Sequence, residues 1–325
     1  MSSMKALASA LSFLLLAALD LAAQDLKVRQ EAATLLEHAH AVSTPASQGP
    51  YRLTVKFRAF FPDGKTDEGT YARMVGAPGV YREEMESTDA HFIGVYNGNQ
   101  VARVKSREVV PAVETKVLKL VPIYLVRFDH ADVIRSITET GSNGRPARCI
   151  EFDTTYGEKT WPNEICVDKE LGTVVHMRVQ DETLDYSSFF PYRQAWYPGH
   201  IAYEQNGVSI EMEQTMREIP GLDPADLTPP PGAEEGTMCR EYRRPFGVFM
   251  PQPKAGNGSH VTDIVIHGVV RADGKLYGPT IDSSSRPDLN EEALAIARTW
   301  TFTPPTCNGQ TTYGPMVITL HFQGR

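Results

Sequence analysis

Four cysteines are the residues of this sequence whose types and spacing bear most directly on chemistry: Cys149, Cys166, Cys239 and Cys307. An even number of cysteines in an exported chain favours disulfide bonds, and the N-terminal residues predict export. Of the three possible pairings we favour Cys149–Cys166, which flanks a hairpin-like segment, and Cys239–Cys307, which brackets the C-terminal segment. Metal binding is the alternative, but the sequence contains no CxxC and no histidine at ligand spacing. We therefore predict two disulfides, no metal and no cofactor.

No arrangement of nucleophile, base or phosphate-binding glycines predicts catalysis. The sequence lacks GxSxG, HExxH, GxGxxG and P-loop patterns. His38 and His40 lie two residues apart on a predicted helix, so they cannot face one site. His260, His267 and His321 fall on predicted strands, where partly exposed surface residues are favoured over a joint site. We expect no catalytic residues and a protein that is not an enzyme.

The acidic balance of the chain restricts its partners. A net charge of −8 argues against a nucleic-acid partner, for which a basic surface would be expected. Hydrophobic residues make up 41% of the chain, as in a globular protein. The acidic run of Glu83, Glu84 and Glu86 predicts a solvated strand face. Aromatic residues are concentrated over Tyr186–Tyr203, where core packing is favoured over a ligand-lining cluster.

The first residues have the pattern of a secretory signal peptide. Lys5 provides a short positive region, Ala6–Leu19 an apolar run, and small or apolar residues precede Gln24. The run is shorter than the about 20 apolar residues that a comfortable spanning helix needs. We predict a signal peptide over residues 1–23 and a periplasmic location with peripheral or no membrane association. An uncleaved anchor is the alternative, because Asp20 is awkward near a cleavage site.

The region over residues 24–233 has the pattern of one α+β domain. Asp25–Val42 predicts an amphipathic helix, because its apolar residues recur at spacings of three and four. Tyr51–Ala59 alternates apolar and polar residues, as a strand with one buried face does. Glu114–Ile137 is predicted to be mostly helical. Further strands are predicted at Gly69–Met74, Gly79–Met85, Ala90–Tyr96, Gln100–Ser106, Arg148–Asp153, Trp161–Asp168, Val174–Gln180, Leu184–Phe190, Ala195–Glu204 and Val208–Glu218. We expect them to form a large, curved antiparallel sheet.

The C-terminal segment has a pattern of its own. Residues 234–257 are rich in proline and are expected to form a linker and an extended lead-in. Residues 258–325 predict a small β-β-α-β domain. Its elements are the strands Val261–Arg271 and Lys275–Ile281, a helix that starts at Pro287-Asp288, and the alternating last strand Met316–Phe322.

That order of elements resembles the TonB carboxy-terminal domain. The family pattern is a β-run ending in Asp-Gly, a helix of Leu-Asp/Asn-x-x-Ala type, Trp-x-Phe-x-Pro, and an Asn/Asp-Gly turn into a last strand that ends in an aromatic. The matching residues are Asp273, Gly274, Leu289, Ala293, Trp300, Phe302 and Pro304, with the turn Asn308-Gly309 and the strand Val317–Phe322. The resemblance covers Gly258–Gly324 and implies a fold rather than a catalytic chemistry.

Residues Asp25–Ala233 more loosely resemble the LolA-like lipoprotein-sorting family. The leading helix, the strand Tyr51–Phe60 and the turn Tyr96-Asn97-Gly98-Asn99 carry this resemblance. It implies a half-barrel whose curved sheet wraps a cavity for acyl chains, where burial of apolar surface stabilises a complex by roughly 25 cal/mol per Å². TonB instead has a membrane anchor and a long spacer in this position, so energy transduction is not the favoured interpretation.

Together these patterns predict a non-enzymatic periplasmic binding or adaptor protein. The expected partner is an envelope protein or peptide that adds a strand to the last strand, with a lipid or acyl chain as a further ligand of the N-terminal region. The candidate edge strand comprises Met316, Val317, Ile318, Thr319, Leu320, His321 and Phe322. A TonB-type energy transducer with an uncleaved anchor and an unrecognised hydrolase are the alternatives.

Overall fold

A computed structural model describes most of the chain after the predicted signal peptide. The described residues are 26–43, 49–88, 90–106, 111–121, 128, 132–156, 159–253, 261–284 and 286–323. The predicted signal peptide over residues 1–23 lies outside them, as does His260. Across the described ranges, no helix has both the length and the apolar character needed to cross a membrane.

Antiparallel strands dominate the described chain and helices are few, so the expected sheet-rich architecture is confirmed. The helices are α1 (residues 26–43), α2 (Ala112–Leu120) and α3 (Asn290–Ala297), with 3₁₀ turns at Pro224–Leu227 and Pro287–Leu289. The strands are β1 (Tyr51–Phe60), β2 (Thr66–Ala77), β3 (Val80–Ser87), β4 (His91–Asn97), β5 (Gln100–Lys105), β6 (Val133–Ser142), β7 (Arg145–Tyr156), β8 (Lys159–Asp168), β9 (Val174–Val179), β10 (Glu182–Ser187), β11 (Phe190–Tyr192), β12 (Ala195–Tyr197), β13 (His200–Gln205), β14 (Val208–Glu218), β15 (Glu234–Thr237), β16 (Tyr242–Arg243), β17 (Phe246–Phe249), β18 (Val261–Val270), β19 (Leu276–Ser284), β20 (Thr301–Thr303), β21 (Thr306–Cys307), β22 (Gln310–Thr311) and β23 (Gly314–Gln323).

One compact unit comprises Ser47–Pro122 and Asn206–Arg325. Seven of its strands are antiparallel neighbours in the order β15-β5-β4-β3-β2-β1-β14. In β1, Val55, Phe57 and Ala59 are only 1%, 4% and 0% exposed, whereas the residues between them face outward. The alternation predicted from the sequence is confirmed, because successive side chains of a strand point to opposite faces.

The other compact unit comprises Met1–Ala46 and Ile123–Gln205. Six of its strands are antiparallel neighbours in the order β13-β10-β9-β8-β7-β6, and β11 pairs with β12 in a separate two-stranded sheet. The predicted N-terminal helix is confirmed as α1, which buries Ala32 and Ala39. These two alanines lie seven residues apart, about two helical turns, so they share one face. The carboxylate of Glu31 on α1 pairs with Arg148 of β7.

The C-terminal part of the first unit contains a three-stranded sheet in the order β19-β18-β23. Helix α3 packs on one face of this sheet, and its Ala293 and Ala297 are fully buried. Because alanine is small, the helix can approach the strands closely at these two positions. The shared core consists of Ile264, Ile266, Val270, Leu276, Ala293, Ala297, Trp300, Phe302, Ile318, Leu320 and Phe322.

Two segments differ from the sequence-based expectation. The prediction of a mostly helical Glu114–Ile137 is wrong for Val133–Ile137, which belongs to β6 and pairs with β7. Residues 122–127 and 129–131 of this segment lie outside the described residues. The local spacing of apolar residues suggested a helix, but long-range pairing decided the structure. In the proline-rich lead-in, β15 pairs with β5 and β17 pairs with β20, so this stretch is extended and also bonded to its surroundings.

Candidate functional site

The last strand, β23, lies at an edge of the C-terminal sheet. It pairs with β18 along ten uninterrupted positions, from Val261↔Gln323 to Val270↔Gly314. Its side chains alternate as predicted: Ile318, Leu320 and Phe322 are buried, while Val317 is 56% exposed. An edge strand has one row of backbone amide and carbonyl groups that its own sheet does not use, and these groups can pair with an added strand.

The opposite edge of the same sheet is less suited to strand addition. Strand β19 contains Gly278-Pro279 within its span, and its pairing with β18 shifts register at two places, whereas the proline of β23, Pro315, is the second residue of a strand without register shifts. Proline lacks a backbone donor and bulges twist an edge away from a partner, so both features oppose pairing. The structure therefore singles out β23 as the longer, more regular edge of the C-terminal sheet.

The family-type residues meet in one core and one turn. Ala293, Trp300 and Phe302 belong to the core between α3 and the sheet, with Leu289 packed partly buried against it. The rings of Trp300 and Phe302 meet edge to face at 6.5 Å between centroids. Pro304 is half-buried, just after the short strand β20. These side chains position β23, and none of them offers a reacting group.

Asp273 and Gly274 form the turn between β18 and β19. The Asp273 carboxylate accepts a bond from the Lys275 amide at 3.0 Å, and the Phe302 amide donates to the Gly274 carbonyl at 2.8 Å. Gly274 has φ +75°, and a Cβ there would lie 2.4 Å from the Phe302 carbonyl oxygen. Only glycine combines that conformation with so close an approach. The Asp-Gly pair is thus a structural turn.

The lead-in is fixed to the C-terminal domain by side-chain contacts. The Trp300 indole donates to the Pro251 carbonyl at 3.0 Å. Asn308 accepts from the amides of Arg240 and Glu241, each at 3.1 Å. The predicted disulfides Cys239–Cys307 and Cys149–Cys166 are both present. The first joins the lead-in to β21, and the second links directly opposed residues of β7 and β8.

Replacing Cys239 and Cys307 together by serine should lower the free energy of unfolding by about 2–4 kcal/mol, because the bond closes a long loop. The sequence separation is 68 here and 17 for Cys149–Cys166. In the chain-entropy account, the shorter loop contributes roughly 1 kcal/mol less, so the corresponding double serine variant is the matched comparison. Urea unfolding measures the loss of stability in both double serine variants. An unchanged midpoint for the Cys239/Cys307 variant would contradict the expectation.

The ligand atoms of Cys149, Glu164 and Cys166 lie within 4.8 Å of one another, as metal ligands would. Both sulfurs are joined in a disulfide, however, and a disulfide offers no thiolate. The grouping is therefore explained by the bond between β7 and β8.

A cluster of charged and tyrosine side chains is buried on the sheet formed by β2 to β5. Glu83 accepts bonds from the hydroxyls of Tyr71 at 2.9 Å and Tyr96 at 2.6 Å. Arg73 pairs with the same carboxylate at 3.4 Å. Glu83 is only 6% exposed, so the expectation that the acidic run forms a solvated face is wrong for this residue. A buried carboxylate is tolerated because a cation and two donors compensate it.

The tyrosines of this cluster stay neutral. Burial, reinforced by the negative charge of Glu83, raises the pKa of both Tyr71 and Tyr96. Neutral hydroxyls remain donors, which is what the Glu83 carboxylate requires. Tyr96 also stacks on Tyr81 with centroids 4.1 Å apart, and Arg73 lies 4.7 Å from the centre of the Tyr81 ring. The cluster is a compensated structural network with no activated nucleophile.

His267 on β18 was expected to be partly exposed, and this is wrong. It is 1% exposed because both faces of β18 are covered, as Val265 at 6% and Ile266 at 0% also show. Its Nδ1 has no hydrogen-bond partner among the described residues. Burial, with a smaller contribution from the positive charge of Lys119 on α2, lowers the pKa of His267 below 6.5. His321, in contrast, is exposed and contacts Asp263 at 2.7 Å.

The lowered pKa of His267 predicts a loss of stability in mild acid. Below about pH 6.5 the unfolded chain binds a proton that the folded chain resists. Stability is therefore retained at neutral pH and lost as the pH falls from 6.5 toward the depressed folded value. His267→Gln should flatten this dependence, and His38→Gln is the control for loss of an exposed imidazole. Denaturant unfolding between pH 7.5 and 5 measures how the free energy of unfolding depends on pH. An equally steep dependence in His267→Gln would show that His267 is not its source.

The aromatic concentration over Tyr186–Tyr203 is largely buried, as the packing interpretation expects. Tyr186, Tyr192 and Tyr203 are 2%, 6% and 3% exposed. The rings of Tyr192 and Tyr197 meet edge to face, 6.1 Å apart. Burial raises the pKa of Tyr186, so its hydroxyl stays neutral. These contacts belong to the packing of β10 to β13.

Comparison with solved structures finds several proteins of low structural similarity to this chain. A lipoprotein-sorting protein domain from Vibrio parahaemolyticus is 13% identical, with 60% of this chain and 95% of that one covered and a TM-score of 0.38. A LolA superfamily protein from Nitrosomonas europaea is 13% identical, with 60% and 96% covered and a TM-score of 0.37. A DUF1329 family protein from Desulfovibrio piger is 10% identical, with 60% and 96% covered and a TM-score of 0.41. Because these scores lie below 0.5, the fold rests on the strand pairing above.

Sequence comparison gives a sharper result for the C-terminal segment. No curated protein sequence matches the chain significantly. Residues 259–323, however, match the family described as Gram-negative bacterial TonB protein C-terminal. The matched span begins within two residues of β18 and ends at the last residue of β23. It is this segment of the chain, with its β18-β19-α3-β23 order, that carries the TonB C-terminal family pattern anticipated from the motif residues.

Proposed function

We propose that the chain is a periplasmic, non-enzymatic binding or adaptor protein whose C-terminal domain of residues 258–325 binds an envelope protein or peptide by strand addition to β23. The observation that carries the proposal is the pairing of β23 with β18 without a register shift, with proline only at its second residue, beside a β19 that has two register shifts and Pro279 within its span. The match of residues 259–323 to the TonB C-terminal family supports an interaction role. The predicted edge residues, Met316–Phe322, all lie on β23.

Substitution of Thr319 by proline tests the edge-pairing proposal. Proline lacks a backbone donor and interrupts an added strand, so we expect binding of periplasmic peptide segments to fall at least tenfold. Thr319 is half-buried rather than part of the core, and Thr319→Val is the matched control that keeps the backbone donor. Peptide-array binding by the full chain, with thermal unfolding to show that each variant is folded, provides the measurement. Equal binding by both variants would contradict strand addition.

The N-terminal region is proposed to bind a lipid or another apolar ligand. The support is the apolar face of β1 to β4, to which Phe57, Met85 and Phe92 contribute. Native mass spectrometry of the purified chain should detect a co-purifying lipid. Delipidated protein should rebind lipid from a lipid mixture. If the purified chain binds no lipid, this part of the proposal is contradicted.

The location is proposed to be the periplasm, following export and cleavage near Gln24. A TonB-type energy transducer would instead keep its N-terminal segment as an anchor. N-terminal sequencing of the protein recovered from a Gram-negative host separates the two, because a start near Gln24 excludes a permanent anchor. An intact N-terminus in the membrane fraction would favour the transducer.

A further inference from the structure

A short stretch of the lead-in exposes more apolar surface than its surroundings. In β17, Phe246 is 58% exposed, Val248 68% and Phe249 59%. Tyr242, four residues earlier, is 47% exposed. Single exposed apolar side chains are ordinary, but several on adjacent positions mark an interaction surface. The sequence pattern predicts only an extended lead-in here.

The geometry of β17 directs these side chains away from the core. Phe246 pairs with Thr303 and Phe249 with Thr301, with a register shift at Val248 between them. Phe302, between those two threonines, points inward and is 4% exposed. Without the shift, residues three apart would face opposite sides of a strand. The bulge therefore places both phenylalanines on the outward face.

Cations accompany the exposed rings. Arg240, Arg243 and Arg244 lie on the same exposed stretch, where Glu241 is the one acidic neighbour between Cys239 and Phe249. The Arg244 guanidinium lies 5.4 Å from the centre of the Phe246 ring. The whole chain carries a net charge of −8, so a local excess of two positive charges here runs against its overall balance. An acidic protein is repelled least by an anionic surface when this basic stretch faces that surface.

We propose that this stretch, Arg240–Phe249, docks the chain on an anionic lipid surface. The outward rings of Phe246 and Phe249 enter the interface between headgroups and acyl chains, while Arg243 and Arg244 contact lipid phosphates. Arginine suits this role because its planar guanidinium bonds phosphate through two donors.

Exposure favours a lipid surface over a folded protein partner. Side chains that are more than half exposed protrude from the surface, whereas sites for peptides and small ligands are concave. A fluid bilayer accepts protruding rings without a matching shape. The composition points the same way, since arginines beside exposed aromatic side chains match the phosphate and acyl layers of a membrane surface.

The residues substituted in the docking surface, Arg243, Arg244, Phe246 and Phe249, lie outside the sheet of β23, although the Tyr242 hydroxyl approaches Gly314 at the start of β23. Strand β17 pairs with β20, whereas β23 pairs with β18 in another sheet. Loss of peptide binding in the β23 variants and loss of lipid binding in β17 variants are therefore independent outcomes.

The test is co-sedimentation of the full chain with vesicles of two compositions, phosphatidylcholine alone and phosphatidylcholine mixed with phosphatidylglycerol. We expect binding to the anionic vesicles that weakens as salt is added. Arg243→Gln/Arg244→Gln should weaken it on the order of tenfold or more, because each basic residue near an anionic surface contributes roughly fivefold. Phe246→Ser/Phe249→Ser should weaken it at least as much. All four substituted side chains are exposed, so the variants should fold.

Matched controls are Val133→Ser, which removes a 54% exposed apolar side chain elsewhere, and Lys56→Gln, which removes an exposed cation from β1. Both should bind vesicles as the unaltered chain does. Absence of vesicle binding, or binding by both double variants as tight as that of the unaltered chain, overturns the proposal. Self-association that Phe246→Ser/Phe249→Ser abolishes, without vesicle binding, would assign the surface to a second copy of the chain. Loss of peptide binding in that variant, again without vesicle binding, would assign it to a protein partner.

Discussion

Replacement of Trp300 by alanine is expected to lower the free energy of unfolding of the C-terminal domain by about 3–5 kcal/mol. Trp300 is 1% exposed and is the largest fully buried side chain of the described chain. Its removal leaves a cavity between α3 and the sheet, and the Pro251 carbonyl loses the donor that lies 3.0 Å away. The expected consequence is early unfolding of the segment that carries β23.

Trp300→Phe is the matched control for this prediction. Phenylalanine keeps most of the apolar volume beside Phe302 but cannot donate to Pro251, so a smaller loss of about 1–3 kcal/mol is expected. Urea unfolding, followed by hydrogen exchange in β18 and β23, separates the packing and hydrogen-bond contributions. A loss below about 1 kcal/mol for the alanine variant would show that Trp300 does not hold the sheet and helix together.

Replacement of Glu83 by alanine is expected to cost a comparable amount, about 3–5 kcal/mol. The substitution leaves the Arg73 guanidinium, whose side chain is 25% exposed, without its carboxylate. It also removes the acceptor of the Tyr71 and Tyr96 hydroxyls. The penalty arises mainly from polar groups left buried and unpaired, not from the intrinsic strength of the lost bonds.

Glu84→Ala is a matched control for Glu83→Ala because it lies at the next position of the same strand. Glu84 points to the other face, is 42% exposed and pairs with Arg82 at 2.6 Å. The Arg82 side chain is 16% exposed but keeps a second acceptor, the Asp226 carbonyl at 3.3 Å, when Glu84 is removed. Such partly solvated pairs contribute about 0–1 kcal/mol. Thermal or urea unfolding of the two variants compares them directly. Equal losses in the free energy of unfolding would show that Glu83 in the buried cluster contributes no more than Glu84 in its pair with Arg82.

The sequence predicted elements well where local patterns decide the structure. The alternation of β1 and β23 follows from the period of two, and the Asn308-Gly309 turn has the positive φ angles that such a pair favours. The core motif of α3 and Trp300 was also predicted, because apolar residues at helical spacing must share one face. These features need no knowledge of distant contacts.

Burial of polar residues was predicted less well, although a signal was present. Glu83 shares strand parity with Met85, which is 1% exposed, so alternation places it on the buried face. His267 lies in the continuous apolar run of β18, which is typical of a strand covered on both sides. Strand parity would have given the correct environment for Glu83, and the continuous apolar run would have given it for His267.

The short lead-in strands could not be predicted from local patterns. Strands β15, β16 and β17 are four, two and four residues long, and each exists because it pairs with a distant partner. The outward orientation of Phe246 and Phe249 depends on a bulge against β20, which the spacing of these residues does not indicate. The edge position of β23 is likewise a property of the sheet order.

Site-specific photocrosslinking in Gram-negative cells tests the central claim most directly. A photoreactive residue at Val317 on β23 reports contact with a partner at the proposed edge, and one at Tyr277 on β19, which is 43% exposed, is the control for the opposite edge. Strand addition to β23 predicts an adduct with a periplasmic protein segment from position 317, little from position 277, and loss of the first adduct on addition of Thr319→Pro. An adduct from position 277 alone, or one from position 317 that survives Thr319→Pro, would contradict strand addition to β23.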